Sequence, residues 1–502
     1  MSTPTGNVLL ITLDQWRAEC LGALGHPAVR TPNLDRLVAE GTLFTQHFAQ
    51  AVPCGPSRAS LHTGLYAMTH RSVLNGTPLD DRFTNLAREA RALGHDPVLF
   101  GYTDTSPDPR VLDPGDPRLR SYEGVLPGYR AVLDMPEHAE PWRAWLRGLG
   151  YDLPDDVEAH RPVDDTPRSP AAYRAEHSEA AFLTGEVLAY LAEVGDAPWF
   201  IHATYLRPHP PYCAPEPYNT LIDPADVPMP HAHPTVEAEM AVSPIIAGAL
   251  TMDWVRAPEG ERAIRELRAT YYGMLAEVDA QVGRLLDALR ERAEWDRTLV
   301  VVTSDHGDEL GDHHLTQKLG FYDGSYRIPC IVRDPRPEAD PGRGVQVGAF
   351  TENVDLMPTI LEWLGARIPA QCSGRSLLGF VTGGPPTEWR DAVFFEWDFR
   401  DPVGRTPERL LGVPFDRSGM AAIRDAHGKY VHFAGLPPLF FDLDEDPHEM
   451  VNRADDPAYA ARVLEYAQAM VTWRLEHADR TLTGLFVCPM GLVDARAAGP
   501  RH

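Results

Sequence analysis

Positive charge is scarce in this 502-residue chain, where 46 Lys and Arg stand against 72 Asp and Glu for a formal net charge of −26. That balance argues against a general nucleic-acid binder, which needs a basic surface facing the phosphate backbone. It leaves room for a small anionic substrate, because a few Arg and Lys in a cleft set a local positive potential. Cysteine is sparse too. The six cysteines, at 20, 54, 213, 330, 372 and 488, form no Cys-x-x-Cys pair, which speaks against a zinc ribbon, and a disulfide scaffold is implausible at this length. Long apolar runs are missing: Val8–Leu13 has no basic region before it, is too short for a signal-peptide core or a membrane span, and ends at Asp14. The expectation is a protein without a membrane partner, cytoplasmic by default. Repeats and low-complexity runs are absent as well, and Ala495–His502 reads as a loose tail.

What is present is a large apolar fraction, 43%, and a rhythm of short apolar runs alternating with helical patterns. That rhythm predicts an α/β fold, a sheet with parallel strands covered by helices. Buried strands are expected at Val8–Leu13, Val98–Gly101, Trp199–Thr204 and Leu299–Thr303. A short helix is expected over 33–40, entered at Thr31-Pro32 and stopped at Gly41. The clearest helix is marked by Tyr271, Met274, Leu275, Val278, Val282, Leu285, Leu286 and Leu289 at helical spacing, a core stripe. Residues 103–170 and 206–260 are rich in Pro, Asp and His with little periodicity, as expected of the rim of a site. From about 385 the texture changes to strand-like pieces, Ala392–Trp397 and Lys429–Phe433, then a helix near 457–475. The expected organisation is a catalytic α/β domain over 1–384 and a smaller C-terminal α+β subdomain with its tail over 385–502.

Ligands of open α/β sheets sit beyond the C-terminal ends of the strands. Two such ends carry metal-binding residue types: the first strand runs into Asp14-Gln15, and the 299–303 strand into Ser304-Asp305-His306-Gly307-Asp308. Asp14 alone fits a helix cap as well as a metal ligand. Taken with Asp305 and His306, a divalent-cation site is the better reading. The sharpest feature is Pro53-Cys54-Gly55-Pro56-Ser57-Arg58, opening an apparent helix through Leu61 that ends near Gly64. A Cys at a helix N-terminus feels the positive end of the dipole, and Arg58 adds a cation. Three readings compete: an inert buried cysteine, a thiolate phosphatase loop and a sulfatase-type nucleophile. The phosphatase loop needs five residues between Cys and Arg, and here Ser60 stands where that Arg belongs.

Cys54-Gly55-Pro56-Ser57-Arg58 followed by Leu61-His62-Thr63-Gly64 matches the sulfatase signature, Cys-x-Pro-x-Arg, which directs oxidation of the cysteine to formylglycine. More closely, the chain resembles the phosphonate monoester hydrolase and phosphodiesterase branch of the sulfatase family, within the alkaline phosphatase superfamily. The matching segments include NVLLITLDQWRAE, TPNLDRL, VPCGPSRASLHTGLY, HRSVLNGTPLD, GYTDTSPDPR, LRPHPPY, TSDHGDELGDHHLTQKLGFYD, VDLMPTILEWLG and LPPLFFDLDEDPHE, nearly the whole length. The resemblance implies a large mixed, mostly parallel sheet sandwiched by helices. It also implies one divalent metal held by Asp14, Asp305, His306 and the modified Cys54, whose hydrated aldehyde supplies the nucleophile. Arg58 would orient that group, and Asn75, Tyr102, His209 and Lys318 would surround the substrate oxygens and the leaving group, with His209 or Lys318 protonating the leaving oxygen. Each also has an ordinary reading: Lys318 as a solvated lysine, His209 as a brace for a proline-rich loop, Asn75-Gly76 as a turn. His313-His314 is expected to be structural.

Two departures from the family pattern stand out. Sulfatases usually open their metal site with adjacent aspartates, and here the pair is Asp14-Gln15. The lost carboxylate, with nitrogen from His306, suits Mn²⁺, or Zn²⁺, better than an all-oxygen Ca²⁺ site. It also points toward phosphonate monoesters and phosphate diesters, with arylsulfatase as the alternative. Second, Asp104 replaces a threonine near the substrate oxygens, and a carboxylate there repels a dianion more than a monoanion. Implied partners are a small anionic ester, a formylglycine-generating enzyme and further copies in a homotetramer.

Overall fold

The computed structural model describes residues 6–494 apart from Glu137, Gly484 and Met490, so the tail expected at Ala495–His502 lies outside the described residues. Its strands are β1 (Asn7–Leu13), β2 (Thr42–Phe48), β3 (Ala51–Val52), β4 (Pro97–Gly101), β5 (Arg130–Asp134), β6 (Phe200–Tyr205), β7 (Thr298–Ser304), β8 (Arg327–Ile328), β9 (Cys330–Arg333) and β10 (Val345–Glu352) in the first part of the chain. Further on come β11 (Ala392–Asp398), β12 (Gly419–Asp425), β13 (Gly428–Phe433), β14 (Leu439–Asp442), β15 (Leu485–Cys488) and β16 (Gly491–Asp494). Nine strands form one sheet in the order β10-β2-β9-β7-β1-β6-β4-β5, with β8 paired to β2. β9 and β8 run antiparallel to their neighbours and the other pairs are parallel. The large, mostly parallel sheet sandwiched by helices is thus the observed architecture.

The central strands are apolar on both faces because both are covered. Leu9, Ile11 and Leu13 of β1, with Val300 and Val302 of β7, join a core that includes Leu34 and Leu37 of the Pro32–Glu40 helix and the apolar stripe of the Glu261–Glu291 helix. The alternate residues, Val8 and Leu10 with Leu299 and Val301, face a second core built with Ala59 and Leu61 of the Cys54–Thr63 helix and Leu356, Ile360 and Leu361 of the Leu356–Trp363 helix. The period of two along each strand therefore feeds two helix layers at once.

The irregular rim expected over 103–170 contains more order than its composition suggests. β5 and the Glu140–Gly148 helix lie within it, and β5 is exposed at four of its five positions, so it shows no apolar run. The second sheet runs β14-β13-β12-β11-β3. Its antiparallel strands come from the C-terminal part, and the Ala460–Glu476 helix packs on it through Tyr466, Met470 and Trp473. β3 completes this sheet from the other end of the chain, pairing parallel with β11 through Ala51 opposite Glu396 and Val52 opposite Trp397. Pro53 and Cys54 follow immediately, so the lead-in to the cysteine is fixed by the second sheet and its helix packs on the first.

Candidate metal and hydrolytic centre

β7, β1, β6 and β4 are neighbours, and β7, β6 and β4 run in the direction of β1, so their C-terminal ends meet along one edge. Asp305-His306, Asp14, Thr204 and Tyr102 come together there. The Cys54–Thr63 helix aims its first turn at the same edge and ends at Gly64, whose φ of 67° closes it with a left-handed cap. Asp14, Cys54, Asp305 and His306 each offer a ligand atom within 4.8 Å of the others, and all four are buried.

Arg58 lies beneath this group at 1% exposure. Its Nη2 donates to Asp14 Oδ2 at 3.0 Å and its Nε to Asp305 Oδ2 at 3.0 Å, while Nη1 donates to Thr204 Oγ1 at 2.7 Å. The guanidinium also stacks 4.3 Å from the Tyr102 ring centre, and the Tyr102 hydroxyl donates to Asp14 Oδ2 at 2.5 Å. Burial pushes the Asp14 carboxyl up, but the Arg58 and Lys318 charges and the Tyr102 hydrogen bond outweigh it and hold it below its usual range. Asp104 sits 3.8 Å from Arg58 Nε, and burial, with Asp14 and Asp305 nearby, pushes its carboxyl up to about 8 despite Arg58. Near neutral pH it keeps its proton, so the expected repulsion of a dianion by a carboxylate at this position is muted.

The donor set fits a divalent cation. Asp14 Oδ1 is buried with no hydrogen-bond partner. His306 Nδ1 lies 3.0 Å from the Gly307 carbonyl, which requires its proton there and leaves Nε2 with a lone pair facing Cys54 Sγ at 3.1 Å. Burial lowers the His306 pKa and keeps the ring neutral, as a metal ligand must be. Asp305 is oriented through Oδ1, which accepts from the Gln15 and His306 amides at 3.2 and 2.9 Å.

Cys54 departs from expectation in one respect. A helix N-terminus beside an arginine should favour the thiolate, but burial and the Asp14 carboxylate push this thiol well above its ordinary pKa. Arg58 does not offset this, because its guanidinium is paired with the Asp14 and Asp305 carboxylates. An unmodified Cys54 is therefore a poor nucleophile. The turn that presents it depends on Gly55, whose N–H donates to Asn75 Oδ1 at 2.9 Å. A Cβ at that position would lie 2.9 Å from the Asp104 carbonyl and 3.0 Å from Asn75 Oδ1.

Lys318 and His209 meet at 3.0 Å. An ammonium can only donate, so His209 Nε2 accepts and its proton sits on Nδ1, which donates to the Pro210 carbonyl at 2.8 Å. Burial and the Lys318 charge hold His209 well below its ordinary pKa. Burial alone would lower Lys318, but the Asp14, Asp305 and Asp308 carboxylates raise it, so it stays charged. Cys54, Arg58, Asn75, Tyr102, Asp104, His209 and Lys318 thus gather around the metal-ligand group, within one connected set of contacts.

Several members of that set were not singled out as site residues in the sequence. Gln15 accepts from Lys318 at 2.9 Å and donates to Asp308, which also accepts from the Tyr212 hydroxyl at 2.6 Å and the Gln317 amide at 2.9 Å. The amide thus occupies the place of the missing second aspartate as a bridge between a cation and a carboxylate. Thr204 was findable from its position at the end of β6. His313-His314, expected to be structural, make contacts of their own: His313 Nδ1 meets Glu239 at 2.9 Å with its ring stacked on Tyr322, and His314 meets the His233 carbonyl at 2.8 Å.

Known families, relatives and solved structures match this chain along most of its length. The family profile described as Sulfatase matches residues 6–366, and one described as N-sulphoglucosamine sulphohydrolase, C-terminal, matches residues 311–476. The multifunctional alkaline phosphatase superfamily protein PehA of Trinickia caryophylli is 43% identical over 509 residues, covering 97% of this chain and 98% of that protein. The crystal structure of the phosphonate monoester hydrolase of Agrobacterium radiobacter shares 46% identity at a TM-score of 0.93, over 97% of this chain and 99% of that one. The phosphonate monoester hydrolase SpPMH from Silicibacter pomeroyi shares 41% at 0.92, with the same coverage.

Proposed function

Because the chain belongs to the sulfatase family, we propose that it hydrolyses phosphonate monoesters and phosphate diesters, and accepts sulfate esters at the same site. The chain is a hydrolase of this family. The observation that carries the substrate reading is the convergence of Asp14, Cys54, Asp305 and His306, with Asp14 Oδ1 left free for a further partner, in a chain so similar to two phosphonate monoester hydrolases.

A divalent cation bound there would polarise the ester as a Lewis acid, and formylglycine made from Cys54 would supply the attacking oxygen. The remaining roles fall to the chain's own groups. Asp14, Asp305, His306 and the modified Cys54 would hold the cation, and Arg58 offsets the two carboxylates so that the centre is not left strongly negative. Tyr102 and Asn75 fix its walls, the first through Asp14 and the second through the Gly55 amide. Lys318 supplies the charge that faces anionic ester oxygens. It also holds the proton for the departing oxygen, because the His209 proton is committed to the Pro210 carbonyl. His209 and Gln15 position Lys318. Asp104, carrying its proton, adds no negative charge to the wall that the ester faces.

We assign Mn²⁺ as the metal, with Zn²⁺ or Ca²⁺ as alternatives, because a nitrogen donor beside two carboxylates suits the first pair. A formylglycine-generating enzyme is the maturation partner. The catalytic unit is residues 1–384, with 385–502 as the C-terminal subdomain. A homotetramer is supported by the exposed Leu464, Val471 and Leu475 of the Ala460–Glu476 helix and by Phe486, Val487 and Leu492 near the C-terminus. Among the described residues no helix is long and apolar enough to cross a membrane. Cys20, Cys54, Cys213, Cys330 and Cys372 are free thiols, which agrees with a cytoplasmic location.

Arylsulfatase is the second reading, favoured by the family profile; sulfate esters are monoanions of the same shape. The test is the intact mass of the Cys54 peptide from protein matured with the generating enzyme, where a loss of roughly 18 Da is expected for CH₂SH becoming CHO. Turnover of phosphonate monoester, phosphodiester and sulfate ester is then compared. A product at full cysteine mass that still cleaves these esters overturns the nucleophile, and sulfate turnover far ahead of the others overturns the substrate ranking.

A further inference from the structure

A cavity of about 390 Å³, within the range of small-molecule pockets, opens between the Pro244–Ala249 helix, the Thr406–Leu411 helix and the end of β11. Three of its wall residues are chain neighbours of the hydrolytic centre on three separate segments. Pro53 precedes Cys54, Leu74 precedes Asn75, and Leu319 follows Lys318. The rest of the wall is largely apolar, with Ile245, Met252, Trp254 and Leu411 among it. Its charged groups are already satisfied: Arg400 pairs with Asp398 at 2.7 Å, and Asp401 accepts from the Thr406 hydroxyl and the Gly404 amide, both at 2.7 Å. Trp254 is nevertheless 56% exposed and Leu410 51%, an apolar surface beside an otherwise polar centre.

We infer that this cavity receives the alcohol portion of the ester, and that it selects aromatic or bulky apolar leaving groups over small ones. The inference rests on the esterase reading above and gives that site its selectivity. The charge needed to hold the anionic group lies with Arg58 and Lys318, so a neighbouring wall whose own charges are internally paired is left to recognise the uncharged part of the molecule. Leu319, which lines the cavity, follows Lys318, the donor to the departing oxygen, and on this basis the group on that oxygen is assigned to the cavity. Trp254 offers a ring face to an aryl group, and displacing water from Trp254, Leu410 and Leu411 drives the selection.

The test compares kcat/KM of the mature, metal-loaded enzyme for the phenyl and trifluoroethyl esters of one phosphonic acid, with phenol as a product inhibitor. Leu411→Glu puts a charge in the wall, and Trp254→Ala removes a ring that is 56% exposed. The phenyl-to-trifluoroethyl ratio is expected to fall about tenfold or more in the first and severalfold in the second, with weaker phenol inhibition in both. A ratio that stays at the wild-type value in both variants overturns the inference, as does a changed oligomeric mass with an unmoved ratio, which would make the cavity a contact between copies. Selectivity that follows the group on phosphorus instead of the ester oxygen overturns it as well. If the wild type cleaves neither phosphonate but does cleave sulfate esters, the substrate reading fails, and the same ratio measured on phenyl and trifluoroethyl sulfates decides the cavity separately.

Discussion

Replacing Arg58 by alanine should destabilise the metal-free protein more than any other single change at the centre. The guanidinium is buried between Asp14 and Asp305, with Asp104 at 3.8 Å. Removing it strands two carboxylates that have no access to bulk water, and breaking a buried pair from one side costs about 3–5 kcal/mol. Asp104 adds little, since it already holds its proton near neutral pH. Arg58→Lys keeps the charge but loses the fork, because one ammonium cannot reproduce Nε on Asp305 and Nη2 on Asp14 together with the stack on Tyr102. It should cost about 1.5–3 kcal/mol, the worth of one charge-assisted hydrogen bond. The assay is urea unfolding in the presence of chelator, repeated with a saturating divalent cation. A cation takes up the same carboxylates, so the deficit of Arg58→Ala should narrow once it is bound. Cation at a hundred times its dissociation constant contributes about 2.7 kcal/mol to either protein, and more to whichever binds it more tightly. An alanine variant that unfolds at the wild-type midpoint in chelator would refute the reasoning, as would a deficit that the cation leaves unchanged.

Three further outcomes are expected. Asp14→Asn should lose bound metal on dialysis, followed by elemental analysis, and an unchanged metal content would remove Asp14 from the ligand set. Gly55→Ala pushes a methyl against the Asp104 carbonyl and Asn75 Oδ1, so it should cost about 1–3 kcal/mol and depress kcat sharply; wild-type kinetics would show that the Cys54 turn tolerates a side chain. Away from the centre, Glu239→Gln removes the partner of His313. Burial acts against both charges, but their 2.9 Å contact prevails, lowering Glu239 from 4.5 and raising His313 from 6.5. The glutamate's contribution is present above pH 4.5 and lost as pH falls through its lowered folded value; that of the histidine is present below pH 6.5 and lost as pH rises through its raised one. The stability gap between wild type and variant should therefore be widest from pH 4.5 to 6.5 and shrink on both sides, and a gap independent of pH would count against the pair.

What could be read in the sequence followed from burial. β1, β4, β6 and β7 lie inside a two-faced sheet, so each is an apolar run, and their predicted ends fall within a residue or two of those observed. β5 at the sheet edge is nearly all exposed, and β2 carries Thr, Gln and His among its apolar residues, so neither announces itself. The cluster of Asp14, Asp305 and His306 was legible because strand ends concentrate functional groups, and Cys54 because of its motif. The protonation states were not. That His209 keeps its proton on Nδ1, and that Cys54 is a neutral thiol, depend on where Lys318 and Arg58 spend their charge, which is a matter of geometry across segments far apart in the chain.

The two-residue pairing of β3 with β11 has a consequence for the order in which the molecule closes. Ala51 and Val52 leave the ribosome early, yet their partners Glu396 and Trp397 come after most of the chain has been made. Until then the segment leading into Cys54 lacks its pairing partner on that side, and in the completed fold the cysteine is 5% exposed. The lead-in to the cysteine thus takes its place in the second sheet only once the C-terminal part of the chain has been made.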